Sequence, residues 1–121
     1  MIELEKIIHA ELKAIHPRVI HQNTTDTIQF PYLVYDIPNV YFDGESGQIA
    51  TVDIDGWDDD PDTAALENLM ALVKSRLDKK TFQTEKIAVT FYLDSVLSLI
   101  DDDPRISRRK YIFQARVFER S

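Results

Sequence analysis

The sequence predicts an α+β domain: a mostly antiparallel sheet of four to six strands with two helices packed on one face. Two observations carry this. Two segments repeat apolar residues at helical spacing, and several others alternate apolar and polar residues or concentrate β-formers. The strand-like segments also come in runs instead of alternating strictly with helices, which favours helices layered on an antiparallel sheet. With 121 residues and 44% hydrophobic content, the chain is read as one domain, 1–121, able to bury its own core.

The first helix is expected over 3–16. Leu4, Ile7, Ile8, Leu12 and Ile15 form one stripe, Lys6 and Lys13 lie opposite, and His16-Pro17 ends the helix. A short strand at 18–23 and a turn at Asn23–Asp26 follow. Residues 32–37 read as a strand bracketed by Pro31 and Pro38, and Asp43–Gly47 as a hairpin loop. In 48–57, Ala50, Val52 and Ile54 face one way and Thr51, Asp53, Asp55 and Trp57 the other, as in a strand with one wet face.

Asp60-Pro61 is expected to start the second helix, with the carboxylate capping free N–H groups and proline wasting none. Leu66, Leu69, Met70, Val73 and Leu77 form its apolar stripe. Residues 87–93 alternate as a strand, 96–100 suggest another short strand, and Asp101–Pro104 a turn. The last strand is expected over 109–118, with Tyr111, Phe113, Ala115 and Val117 facing the core.

The net charge of −7 disfavours nucleic-acid binding through the bulk surface. Its distribution is uneven. Asp53–Asp62 holds six aspartates, and Arg105–Arg120 holds five arginines and one lysine. Such polarity suits self-association by opposite charges, but charge alone favours two solvated faces kept for solubility. The basic stretch interleaves aromatics, as a nucleic-acid contact would, but Asp101–Asp103 beside it offsets the field, which favours salt bridging within or between subunits.

Dedicated chemistry finds little support. No cysteine is present, so disulfides, thiolate metal sites and cysteine nucleophiles are excluded. The acidic run departs from a calcium-binding EF-hand loop, with Trp57, Asp58 and Ala64 at its fifth, sixth and twelfth positions. His9 and His16 sit two helical turns apart, about 10 Å along the axis and too far to share a metal. Ser95 and Ser98 lack a nucleophile-elbow setting, and Gly44, Gly47 and Gly56 form no phosphate loop. The expectation is no catalytic residue, no metal and no cofactor. Acids at positions 3 and 5 argue against a secretory signal, and no segment is apolar for long enough to span a membrane.

Phe30-Pro31-Tyr-Leu-Val-Tyr35, the strand end Asp55-Gly56-Trp57-Asp58, Asp62–Met70, and Asp101-Asp-Asp-Pro-Arg-Ile-Ser-Arg-Arg-Lys-Tyr111 together resemble the tail-completion or tail-terminator proteins of long-tailed phages and prophages. The resemblance covers roughly residues 1–119. It implies a structural morphogenesis protein that assembles into a homo-oligomeric ring, commonly a hexamer. The ring would end tail-tube growth and join tail to head in the host cytoplasm, then remain in the virion tail. Its implied partners are the tail tube protein and the head–tail connector proteins, with DNA passing through unbound. The candidate subunit interface is Asp53, Asp55, Asp58 and Asp59 of one copy against Arg105, Arg108, Arg109, Lys110 and Arg116 of the next. A connector adaptor or minor tail component is an alternative role. A small ligand-binding module or enzyme on an α+β scaffold is an alternative of another class; it requires a pocket with convergent polar groups.

Overall fold

The computed structural model describes residues 2–21, 29–42 and 47–120. Its elements run α1 (Ile2–Lys13), β1 (Val19–His21), β2 (Tyr32–Phe42), β3 (Gly47–Asp58), α2 (Ala64–Leu77), β4 (Thr81–Gln83), β5 (Ile87–Ile100) and β6 (Ser107–Glu119). The six strands form one sheet in the order β1-β2-β3-β6-β5-β4. The fold is α+β as expected, with one refinement: β1 runs parallel to β2, so the sheet is mixed, while every other neighbouring pair is antiparallel.

Both helices lie on the same face. Leu4, Ile7, Ile8 and Leu12 of α1 and Leu66, Leu69, Met70, Val73 and Leu77 of α2 are buried. They meet Leu33, Tyr35, Ala50, Val52, Ile54, Phe91, Phe113 and Ala115 in a single cluster. In β3 and β6 the alternation read from the sequence sets which side chains face the helices: Ala50, Val52 and Ile54, and Phe113, Ala115 and Val117, are all buried. Across the core, Phe91 meets Phe113 edge to face, with centroids 6.5 Å apart.

At Gly56 the side chains of α2 press closely on the sheet backbone. A Cβ there would sit 2.5 Å from Met70 Sδ and 3.0 Å from Leu66 Cδ1. Gly56→Ala is therefore expected to cost about 1–3 kcal/mol by overpacking. A denaturant midpoint unchanged from the parent protein would contradict this close approach.

Several boundaries differ from expectation, each for a local reason. β2 continues through Pro38 because the register shifts between Asp36 and Asn39, and a bulge spares the strand a ladder N–H that proline lacks. The segments 87–93 and 96–100 are one strand, β5, interrupted by a register shift between Leu93 and Ser95. That bulge moves the inward positions from odd to even numbers, so the alternation breaks although the strand does not. β4, too short to show a pattern, was not foreseen; Thr81 and Thr90 hydroxyls pair across it at 2.7 Å.

α2 starts at Ala64, later than the Asp60-Pro61 start expected. Asp60 Oδ1 accepts from the Asp62 amide at 3.0 Å, and Asp62 Oδ1 from the Ala64 amide at 2.9 Å. These carboxylates turn the chain into the helix, and Thr63, the cap residue, makes no side-chain cap bond. The turn expected at Asn23–Asp26 and most of the Asp43–Gly47 loop lie outside the described residues.

Candidate subunit surface

β3 and β6 are neighbours, and their register brings the acidic and basic segments together inside one chain. Asp55 lies opposite Lys110, Trp57 opposite Arg108, and Asp53 opposite Ile112. These six side chains alternate onto the sheet face away from the helices. Arg108 Nη2 reaches Asp55 Oδ2 at 2.6 Å, with Nε donating to the same oxygen at 2.7 Å. Lys110 Nζ stands 3.6 Å from Asp53 and 4.0 Å from Asp55. The Arg108 guanidinium also covers the Trp57 ring at 4.4 Å, and Trp57 in turn stacks on Tyr32 with only 5° between the planes.

Asp55 is the buried charge of this cluster, its side chain 9% exposed. Burial pushes its carboxyl above the usual value of 3.8, although Arg108 and Lys110 pull the other way. The ion pairs thus offset only part of the desolvation. Trp57 Nε1 is buried and has no hydrogen-bond partner among the described residues. Tyr32 titrates above its usual range, first because it is buried and then because of the Asp101 charge.

The remaining candidate residues separate. Asp58 is buried and accepts from the Asp59 amide at 2.9 Å, while Asp59 is exposed. Arg109 points to the helix face and pairs with Glu67 of α2. Arg105 grips Asp103 through two side-chain bonds of 3.0 and 2.8 Å, and its amide donates to the same carboxylate. Those bonds hold Asp103 down at about 2. Arg116 is exposed and has no ion-pair partner among the described residues. Of the nine candidates, Asp53, Asp55, Arg105, Arg108, Arg109 and Lys110 therefore find partners within the chain. Glu67, Asp103 and Tyr32 were not singled out from the sequence; their roles follow from strand register and helix placement, which no local pattern displays.

The histidines do not converge. His16 Nε2 donates to the Pro31 carbonyl at 2.8 Å, where Arg18 Nε also donates, beside the cis Phe30–Pro31 peptide. His9 Nδ1 and the Tyr35 hydroxyl are 3.1 Å apart, and His21 stacks on the Tyr35 ring. Among the described residues no three histidine or acidic side chains gather as metal ligands would. An open groove of about 780 Å³ lies between α1 and the end of the sheet. Two of its charged groups, Glu3 and Lys86, face each other at 3.9 Å as a surface ion pair. No helix among the described residues is long and apolar enough to cross a membrane.

No known family model matches the sequence, and no curated protein matches it. The fold, however, is similar to that of a chain in a solved structure described as the virion of a native gene transfer agent (GTA) particle. The TM-score is 0.74 at 14% sequence identity, over 93% of this chain and 92% of that one. At such identity the likeness is one of fold.

Proposed function

We propose that this chain is a structural subunit of a phage-like virion, and within that class a tail terminator whose ring ends tail-tube growth and joins tail to head. The observation that carries the reading is the end-to-end fold likeness to a virion chain, in which nearly all of both chains takes part. The sequence motifs at 30–35, 55–58 and 101–111 point the same way. The charged sheet face adds physical support, because its strongest cluster is an interlocked set of ion pairs over an aromatic stack instead of a cleft with free acid and base groups.

In this reading copies of the chain form a ring, with six as the expected number. The tail tube and the head–tail connector proteins dock on its two sides. A net charge of −7 leaves DNA unretained as it passes. Assembly takes place in the host cytoplasm and the ring stays in the tail. Asp59, Arg105 and Arg116, the exposed members of the charged set, are in this reading the ones left to meet a neighbouring copy.

The test is electron microscopy of tails produced with and without the protein. Overlong tails of scattered length in its absence are the expected result. Tails of normal length that fail to join heads would replace the terminator role with that of a connector adaptor, and normal, head-joined tails would end both.

A further inference from the structure

An open sheet leaves backbone N–H and C=O groups unpaired along its two outer edges. On one side of this sheet β4 covers β5 only over Ala88–Thr90. The Lys80 carbonyl then accepts from the Phe91 amide, and Asp78 Oδ1 from the Leu93 amide. Beyond Leu93, no described strand pairs with the outer side of β5. The uncovered stretch reads Asp94-Ser-Val-Leu-Ser-Leu-Ile100, with Val96 54% and Ile100 99% exposed. Lysine, proline or extreme shortness usually blunts such an edge; this one has only Asp94, at the bulge. On the other side of the sheet, β1 has no described strand beyond it.

The two edges lie at the same height. One row of the sheet runs Ile20, Val34, Asp55, Lys110, Leu97, and the row beside it His21, Tyr35, Ile54, Tyr111, Val96. Following strand directions along the order, β1 and β5 run oppositely. An outer β1 from a second copy set beside β5 would therefore continue the sheet as an antiparallel pair, row against row.

We infer that the occupant of the uncovered β5 edge, residues 94–100, is β1 of a second copy of this chain. The inference rests on the ring reading above and names the surface that builds the ring. A two-fold β5-to-β5 contact would close at two copies and leave both β1 edges open. The head-to-tail contact pairs β1 with the middle of the uncovered stretch in every copy and repeats around a closed ring. In that register Val19–His21 lies opposite Val96–Ser98, so the contact covers Val96 and Leu97 and requires none of the charges already paired within the chain.

The cysteine-free sequence makes the test direct. Within one chain, β1 and β5 are four strand spacings apart, about 19 Å, while a disulfide needs Cα atoms within about 7 Å. Any bond between them joins two copies. Ile20→Cys is combined in turn with Ser95→Cys, Leu97→Cys and Leu99→Cys, all on the face away from the helices, because closing a sheet into a ring staggers its register. Oxidation at high protein concentration, with and without tube protein, is read on a denaturing gel. The expected result is a reductant-sensitive ladder of multimers from at least one pair, with no ladder from the single variants. Rings in the microscope without a ladder from any pair would overturn the edge contact and leave the ring standing. Dimers from Leu97→Cys alone as the sole product would replace it with the two-fold contact. Monomer in every condition, with no rings, would remove both.

Discussion

Replacing Phe113 with alanine is expected to remove about 3–5 kcal/mol of stability, the usual cost of truncating a fully buried phenylalanine. Phe113 has no exposed surface and sits on β6, opposite Val52 on one side and Leu93 on the other. Its ring also meets the edge of Phe91, so truncation opens a cavity and breaks an aromatic pair. Single domains are stable by about 5–15 kcal/mol in all, so the variant should lie close to the folding limit. Phe118→Ala provides the internal standard. That residue shares the strand but is 46% exposed on the other face, and its loss should stay within about 0.5–1 kcal/mol. Urea midpoints measure both; similar shifts would mean the alternation of β6 has been placed on the wrong face.

Arg108→Ala should cost about 3 kcal/mol at neutral pH, the lower end for removing one member of a buried ion pair. The loss is moderated because Lys110 Nζ remains 4.0 Å from Asp55. Its pH dependence carries the mechanism. In the parent protein burial already raises the Asp55 pKa above 3.8, so ionised Asp55 weakens the fold at high pH and protonation relieves it. Without Arg108 that pKa rises further. The stability gap between parent and variant should therefore be full above the variant's pKa and narrow as the pH falls through it, since a neutral carboxyl needs no cation. Asp55→Asn in the Arg108→Ala background should recover part of the loss at neutral pH. A gap that does not vary with pH would mean that the damage lies in the Trp57 packing instead of in the charge on Asp55.

Much of the fold was legible because its signals are local. The stripe Leu66, Leu69, Met70, Val73 and Leu77 is the buried face of α2 residue for residue, and the odd–even split of β6 is the split between core and outer face. Legibility failed where a local rule met a tertiary one. The apolar phase of β5 slips at Asp94 because a bulge absorbs a residue, and Pro38 does not end β2 because the ladder shifts around it. At Asp60-Pro61 the capping chemistry was present, but the carboxylates were committed to the approach turn.

The candidate surface shows the same division more sharply. The two oppositely charged segments stand out from composition alone, 53–62 and 105–120. That they face each other inside one chain does not, because β3 and β6 become neighbours only through the order of strands in the sheet. Side-chain periodicity is a property of consecutive residues, so the sequence by itself determined the two helical faces, the strand faces and the charge polarity. Register and strand order depend on contacts between residues about fifty positions apart, such as Asp55 and Arg108. Only the tertiary structure decided that most of those charges are paired at home, and that among the described residues the outer edges of the sheet are β1 and the distal half of β5.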